Sequence, residues 1–327
     1  MDMKVHITNM LNKAELESLI HLYTYGRYCE DISLPLESSQ RLTMDQLLYL
    51  TNEANIQVIE SYSLSGELLG TLVFRLSQWD TEHFGYNVCI IEAIIPKRLG
   101  YEQEFEISEI LVEKFLAWCE SEKMRFISIK VPSLDLPVVH SLERWGFHFI
   151  ENWIYNKYDL TKLDCLSKPP YQLRLARSID FDLMVDFSRD AFSTQRFHAD
   201  AHIAHDKADS LYEKWIQTAF NDPNQKVLVL DIKHRPAAFM IYYSSDLREY
   251  FGLQFAMWKM ALLDPMNRSK GLGADFFIAC LHYHREEGLD VVDSGLSIRN
   301  LASLNLHIKL NFKVTSTLVT LHKWLQS

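Results

Sequence analysis

The sequence has 327 residues, and since domains of about 150 residues are common, this length predicts two domains. Hydrophobic residues make up 48% and charged residues 23%, a globular composition that excludes disordered and fibrous classes. The net charge of -10 offers no basic excess for nucleic acid or for an anionic membrane surface. A local pocket of hydrogen-bond donors can still bind an anionic small molecule.

The five cysteines are far apart and form no Cys-x-x-Cys pair, so the sequence predicts neither a disulfide framework nor a zinc knuckle. The N-terminal residues lack the apolar core of a signal peptide. No apolar stretch reaches the roughly 18 residues that a membrane helix needs. These features predict a reduced, cytoplasmic protein without a membrane segment, and they leave a homo-oligomer open.

The first 60 residues show only a soluble helical pattern, and the first strong element is a helix over residues 106–122. Ile107, Leu111 and Phe115 share one face of it, opposite charged residues. The alternation in 126–131 then predicts a strand, and 142–147 reads as the end of a short helix followed by a strand.

Two prolines, Pro169 and Pro170, exclude a helix or a central strand near the middle of the chain. We therefore expect one domain over residues 1–165 and a second over residues 170–327.

The second half alternates strands with one strong helix, which predicts a mixed α/β (α+β) sheet. The helix covers 271–287 and is ended by Gly288. Phe147 and Phe312 stand 165 residues apart in similar helix-to-strand segments, so a duplicated domain is predicted, with a chance match as the alternative. The predicted strands of this half are 226–230, 237–242, 257–263, 291–296 and 315–321.

A basic loop with two glycines joins the strand that ends near Asp264 to this helix. Glycine lets a ligand approach the backbone, the first N–H groups of a helix bind anions, and Arg268 and Lys270 add positive charge. The pattern predicts a pyrophosphate site, and a plain strand-to-helix turn is the alternative. The spacing fits neither a P-loop nor the dinucleotide fingerprint, whose third glycine would stand at Phe276.

The run Arg268-x-x-Gly-x-Gly-Ala274, followed by Asn300, His307 and Phe312 at their spacing, resembles the GNAT superfamily of acyl-CoA-dependent N-acetyltransferases. The resemblance implies two GNAT-like domains, with acetyl-CoA as co-substrate and no metal. It implies that the loop holds the pyrophosphate and that the preceding strand hydrogen-bonds the pantetheine arm and the thioester carbonyl. The cofactor-binding roles then fall on Leu262, Leu263, Arg268, Ser269, Lys270, Gly271, Leu272, Gly273, Ala274, Asn300 and Ser303.

Two positions depart from the family pattern. His307 stands where the family usually has the Tyr that protonates the departing thiolate, so the resemblance implies His307 as the catalytic acid. A histidine on a helix face without a catalytic part is the alternative. Asn311 stands where the family has Gly, and because Asn tolerates left-handed geometry, the turn is expected to persist.

Residues 190–200 and 208–216 resemble the TDP-fucosamine (TDP-4-amino-4,6-dideoxygalactose) N-acetyltransferases. Those proteins carry a Ser-Arg-Phe run before a Tyr-x-x-Trp-Ile helix, and their Trp-Asp-x-x-Phe-Phe-Gly stretch has a counterpart at 79–85. The resemblance implies a nucleotide-linked amino sugar as the acceptor, bound by Arg196, Phe197 and His198. The helical spacing of the aromatic residues that follow is equally that of a core.

The histidines at 198, 202 and 205 have metal-like spacing, but acyl transfer of this type needs no metal, so no metal site is predicted. In the first half, acids follow Arg98 and Gly100, and Asp135 stands opposite Asn300, so that domain is predicted to be degenerate.

Direct attack of an amine on acetyl-CoA requires a base, for which Asp246, Glu249 and His198 are the candidates. Two alternatives stay open. One is acetylation of a different small amine, such as a polyamine, an amino acid or an antibiotic. The other is an acyl-CoA-binding module without catalysis.

Overall fold

The elements of the chain are strands, the longest of 13 residues, and amphipathic helices. The computed structural model describes residues 3–53, 55–189, 191–192, 195–268 and 270–326. The strands are β1 (Met3–Thr8), β2 (Ile56–Ser63), β3 (Leu68–Leu76), β4 (Val88–Pro96), β5 (Phe126–Pro132), β6 (His148–Asp159), β7 (Leu173–Leu175), β8 (Gln225–Ile232), β9 (Arg235–Leu247), β10 (Leu253–Leu263), β11 (Val291–Ser297) and β12 (Lys313–Trp324). The helices are α1 (Lys13–Ile20), α2 (Leu36–Leu50), α3 (Gln78–Phe84), α4 (Tyr101–Ser121), α5 (Leu136–Arg144), α6 (Phe181–Ser188), α7 (Arg196–Ala199), α8 (His205–Asn221), α9 (Arg248–Phe251), α10 (Leu272–Glu286) and α11 (Leu301–Lys309).

The chain divides into two compact units, Met1–Asn152 with Ser316–Ser327, and Trp153–Thr315. In the first unit the strands follow the order β1-β2-β3-β4-β5-β12, with β4 and β5 parallel and the other pairs antiparallel. In the second unit the order is β6-β11-β10-β9-β8-β7, with β10 and β11 parallel and the other pairs antiparallel. Each unit is therefore a mixed sheet with its parallel pair in the interior, as the predicted fold class requires.

The sheet of the second unit has a hydrophobic core on each face, because successive side chains of a strand point to opposite faces. Phe276 and Cys280 of α10 pack on one face with Trp258 of β10. Helices α6 and α8 pack on the other face, where Met260 and Leu262 of β10 meet them. The two cores hold β10 between α10 and the α6–α8 pair.

The predicted break at residues 165–170 differs from the division between the units. Residues from Trp153 onward in β6 pair with β11, and Leu318–Trp324 of β12 pairs with β5. Pairing along the strands therefore sets the division, while Pro169 and Pro170 lie in coil within the second unit.

The repeat that the sequence predicts appears as equal spacing of whole elements. Helices α5 and α11, and strands β5 and β11, begin and end 165 residues apart. Gly146 has φ 75° and Asn311 has φ 64°, so the left-handed turn expected at Asn311 is confirmed. Phe147 and Phe312 donate matching backbone hydrogen bonds of 3.0 Å to Leu142 and His307.

The helix predicted over 106–122 begins earlier, at Tyr101, and the helix predicted over 271–287 is observed as Leu272–Glu286. Gly288 follows with φ 79°, as expected for the residue after a helix. In the described part of the chain, no helix combines the length and the apolar character that crossing a membrane requires.

Candidate active site

Strands β10 and β11 separate toward their C-terminal ends, and this opening is the first part of the candidate site. Their parallel pairing covers Phe255–Trp258 against Val291–Ser294, whereas β10 continues to Leu263 and β11 to Ser297, all of them described residues. A bulge in the pairing with β9 lies just after Trp258. Beyond it, backbone groups of β10 that do not face β9 are available to a ligand.

Leu263 turns its backbone toward this opening. The N–H of Asp264 donates to the carbonyl of Ala237 in β9 at 2.9 Å. Because successive residues of an antiparallel strand face opposite sides, the N–H and C=O of Leu263 face away from β9. The same alternation turns Ala261 to the opening and Leu262 to β9. Of the two residues predicted here, Leu263 thus turns its N–H to the opening and Leu262 does not, and no sequence signal selected Ala261.

Arg268 fastens the loop after β10 to helix α6. Its Nε donates to the carbonyl of Leu263 at 3.3 Å, and its Nη2 donates to the carbonyl of Phe187 at 3.3 Å. Both acceptors are neutral, so these contacts leave the positive charge of the guanidinium at the loop. Lys270 is exposed nearby, and Ser269 lies outside the described residues.

Gly271 sets the start of α10. It is the N-cap residue with φ 87°, a left-handed conformation that favours glycine. Among the described residues, no atom beyond its chain neighbours lies within 4 Å of a Cβ built on it. The N–H of Ala274 donates to the carbonyl of Gly271 at 3.1 Å. The N–H groups of Leu272 and Gly273 precede it and have no acceptor within the helix, as at any helix start. They form the donor end of α10, although the Leu272 side chain is buried in the core.

Gly273 lies between the end of β10 and helix α11. A Cβ built on it would lie 3.5 Å from Cδ2 of Leu306 and 3.6 Å from Cδ2 of Leu263, ordinary contact distances. The start of α10 and the opening of β10 are therefore adjacent, and a larger side chain at this position would extend between them.

Asn300 and Ser303 form the N-terminal cap of α11. The Oδ1 of Asn300 accepts a hydrogen bond from the N–H of Ser303 at 3.1 Å. An asparagine at this position is therefore explained by helix capping, and the cofactor contacts implied by the resemblance stay predictions for both residues.

His307 is buried, with 2% of its surface exposed, and both ring nitrogens are hydrogen-bonded. Nδ1 lies 2.7 Å from the carbonyl oxygen of Ser303, and Nε2 lies 2.9 Å from Oγ of Ser294. A carbonyl only accepts, so Nδ1 carries the hydrogen and Nε2 accepts from the Ser294 hydroxyl. Burial also lowers the pKa of His307. This geometry favours a structural role over the predicted role as acid.

The residues predicted to bind the acceptor come together on α7. The Arg196 guanidinium lies over the Phe197 ring at 4.5 Å, and Phe197 is itself buried against Trp215, with ring centroids 6.4 Å apart. His198 follows, and its side chain is 5% exposed. Arg196 is half-buried, while Phe197 has the contacts of a core residue.

Two candidates for the base lie near the start of β10, away from the opening, and their role stays a prediction. Asp246 pairs with Gln254 near the start of β10, and Glu249 lies in α9, which joins β9 to β10. At about 3.3 Å per residue, roughly nine residues of strand place Asp246 about 30 Å from the end of β10 at Leu263. The sequence could not show this because the position of the opening depends on the pairing of β10 with β11.

The corresponding loop of the first unit is filled by carboxylates of the protein. Glu104 Oε1 accepts from the N–H groups of Leu99 and Gly100 at 3.1 and 3.0 Å, and its Oε2 lies 2.7 Å from Nη1 of Arg98. Asp135 pairs with the other side of the same guanidinium, at 3.0 and 3.2 Å. The N–H groups of Leu99 and Gly100 and both terminal nitrogens of Arg98 are thus already paired with carboxylates of the same unit.

Two of the three histidines with metal-like spacing pair with separate carboxylates. His198 contacts Asp209, and His202 contacts Asp200. Within the residues that the structure describes, no group of three or more His, Cys, Asp or Glu side chains is arranged to hold a metal ion.

No protein-family model matches the sequence. Among curated proteins, the spore coat polysaccharide biosynthesis protein SpsD of Bacillus subtilis (strain 168) is 16% identical over 260 residues, which cover 80% of this chain and 86% of SpsD.

Solved structures of GCN5-related N-acetyltransferases share the fold. One from Sphaerobacter thermophilus has a TM-score of 0.62 at 10% identity, covering 99% of this chain and 96% of its own. A tandem GNAT protein from the clavulanic acid biosynthesis pathway has a TM-score of 0.59 at 12% identity, covering 100% and 99%. The glucosamine N-acetyltransferase region of a fungal multi-domain GH3 β-N-acetylglucosaminidase has a TM-score of 0.64 at 11% identity and covers 98% of this chain and 38% of that chain. The chain therefore has the mixed α/β fold of the tandem GNAT proteins.

Proposed function

We propose that the protein is an acetyl-CoA-dependent N-acetyltransferase that acts on the amine of a nucleotide-linked amino sugar. The observation that carries the proposal is the juxtaposition of two donor sites in the second unit. The backbone of Leu263 faces an opening between parallel strands, and Gly273 of the α10 start is next to it. The chain has the GNAT fold, and two of the similar solved structures are named GCN5-related N-acetyltransferases.

The residues at the end of β10 and the start of α10 fit acetyl-CoA as a co-substrate. The start of α10 offers N–H groups and open space at Gly271 to a pyrophosphate, and Arg268 and Lys270 add positive charge. The N–H of Leu263 is available to a carbonyl oxygen, where it would stabilise the negative charge that develops during acyl transfer. The side chain of Leu262 supports the site from the core, and Ser269, Asn300 and Ser303 are assigned to the cofactor by resemblance.

The acceptor is proposed to bind on α7, which lies between α6 and α8 in the chain. Arg196 suits a diphosphate group because its guanidinium offers paired donors, and it already lies on an aromatic ring. The name of SpsD places that protein in polysaccharide biosynthesis, which supports a sugar acceptor. Phe197 and His198 complete the proposed set.

We assign catalysis to the second unit and a supporting role to the first. The carboxylates of Glu104 and Asp135 occupy the turn of the first unit where acetyl-CoA would place its pyrophosphate. Leu142 stands where the second unit has His307, and a leucine side chain exchanges no proton.

A thiol-release assay with acetyl-CoA and a panel of amines tests the proposal. The panel contains a TDP-linked 4-amino-4,6-dideoxyhexose, glucosamine, spermidine and lysine. We expect the TDP-linked sugar to give the highest kcat/KM. Faster turnover of spermidine or lysine would assign the enzyme to a different acceptor class. Calorimetric binding of acetyl-CoA without thiol release from any amine would indicate a binding module, and absence of binding would contradict the whole proposal.

A further inference from the structure

His198 and Asp209 form a pair whose geometry suits proton transfer. The Nε2 of His198 lies 2.8 Å from Oδ1 of Asp209. An ionised carboxylate only accepts hydrogen bonds, so Nε2 carries the hydrogen and the lone pair of the ring is on Nδ1. That Nδ1 is buried, and no hydrogen-bond partner for it exists among the described residues. The ring thus offers one unused acceptor nitrogen.

The ring is held in place by its neighbours. Tyr212 stacks on it, with centroids 6.0 Å apart and an interplanar angle of 12°, and Phe192 stacks on the same tyrosine at 4.1 Å. The titratable side chains with a resolved contact to the ring are Asp209 and Tyr212 on α8, and His205 at 5.9 Å. Asp209 is 61% exposed while the His198 side chain is 5% exposed, so Nε2 faces the surface and Nδ1 lies on the buried side.

The topology places this pair at the same end of the sheet as the opening. Helix α8 ends at Asn221 and β8 begins at Gln225, so the helix runs back along the strand. Both β8 and β10 pair antiparallel with β9, so they run in the same direction. The N-terminal end of α8, and α7 before it, therefore lie toward the C-terminal end of β10. The bond from Arg268 to the carbonyl of Phe187 fixes the end of α6 at the same corner.

We infer that His198 is the general base of the reaction and that Asp209 positions its ring, an inference that rests on the proposed function. Nδ1 takes a proton from the acceptor ammonium, and the amine uses the released lone pair to form a C–N bond with the thioester carbon. The C–S bond breaks, the electron pair leaves with the sulfur, and the second proton that the nitrogen loses passes through solvent to the thiolate. His198 returns its proton to water, so atoms and charges balance.

The first test replaces His198 by Gln, with His205→Gln as the matched control on an exposed neighbouring histidine. The acceptor is the amine of the panel above that the wild type acetylates fastest. We expect kcat at pH 7 to fall about 100-fold in His198→Gln, in the range usual for loss of a general base, and to be unchanged in His205→Gln. The activity of His198→Gln should recover toward alkaline pH, where the free amine is abundant, and with added imidazole.

Asp209 supplies a second test that does not depend on a buried substitution. Because its carboxylate is exposed, Asp209→Asn should unfold at the wild-type temperature, bind acetyl-CoA as the wild type does, and lose about tenfold in kcat. Asp209→Glu should restore part of the loss and move the acidic limb of the kcat profile back toward that of the wild type.

The outcomes separate this inference from the proposed function. A wild type that releases no thiol with any amine overturns both. An active wild type with unchanged kcat and pH profile in His198→Gln and Asp209→Asn overturns the inference alone. If His198→Gln fails to fold, Asp209→Asn decides: a wild-type pH profile overturns the inference, and the expected loss supports it.

Discussion

The Nη2 atom of Arg268 donates a hydrogen bond of 3.3 Å to the backbone carbonyl of Phe187, which joins the loop after β10 to the C-terminal end of α6. Arg268→Gln removes the positive charge and the forked geometry together. We expect the acetyl-CoA Kd to rise about tenfold, equivalent to about 1.4 kcal/mol, in calorimetry. Lys270→Gln, at an exposed lysine, is the control and should have a smaller effect. A larger effect of Lys270→Gln would reverse the assignment of the main cation.

Substitutions at Gly273 test the proposed acetyl-CoA site at the start of α10 through side-chain size alone. A Cβ at this position makes only ordinary contacts, so Gly273→Ala should fold normally and bind acetyl-CoA with little change. The two additional methyl groups of Gly273→Val extend between Leu263 and Leu306, and we expect the Kd to rise at least tenfold, about 1.4 kcal/mol. Calorimetry of the two variants measures the difference. Equal acetyl-CoA affinities in Gly273→Val and the wild type would contradict the proposed acetyl-CoA site at the start of α10.

His307 tests the acid role that the family resemblance implies. His307→Phe leaves the buried hydroxyl of Ser294 without its partner, so we expect the free energy of unfolding to fall by about 1–3 kcal/mol. The kcat should change less than tenfold, because the ring has no accessible proton. A loss of kcat above 100-fold, with unchanged acetyl-CoA affinity and without the alkaline limb, would establish His307 as the acid instead.

Burial of His307 also predicts a pH dependence of stability. Its pKa is lowered in the folded state, so the unfolded chain binds more protons below about pH 6.5. This part of the stability is present above that pH and is lost as the pH falls through the folded pKa. Urea unfolding at pH 7 and pH 5 should show a smaller loss in His307→Phe than in the wild type. An equal loss in both proteins would exclude this contribution.

Carboxylates of the protein occupy the turn after Arg98 in the first unit, so we expect calorimetry to show one bound acetyl-CoA per chain. Glu104→Gln breaks its largely buried pair with Arg98, and we expect a loss of about 3 kcal/mol in the free energy of unfolding. The exposed Glu102 lies in the same helical turn, and Glu102→Gln should stay within about 0.5 kcal/mol of the wild type. Binding of two acetyl-CoA molecules to the wild type would contradict the inference that this turn of the first unit binds no acetyl-CoA.

Much of the candidate site could be predicted from local sequence patterns. The glycine at 271, the left-handed turn at Asn311 and the helix after the basic loop depend on backbone preferences of a few neighbouring residues. The same holds for the acids after Arg98. From these acids the sequence predicted a degenerate domain, and in the structure Glu104 accepts hydrogen bonds from the turn itself.

Other features depend on contacts between distant parts of the chain, and only the tertiary structure decided them. The register of β10 against β9 determines that Leu263 rather than Leu262 faces the opening, and it places Asp246 at the opposite end. The burial of His307 between Ser294 and Ser303 depends on how α11 packs against β11.

By itself, the sequence determined the class of fold, the repeat of 165 residues and the corner at which a phosphate-bearing ligand is expected, because helix periodicity, strand alternation and glycine conformations are local properties. The tertiary structure decided which strand completes which unit. It also decided which buried side chains have a hydrogen-bonding atom without a partner among the described residues, such as Nδ1 of His198. These depend on strand pairing and packing between residues far apart in the chain, which no local pattern records.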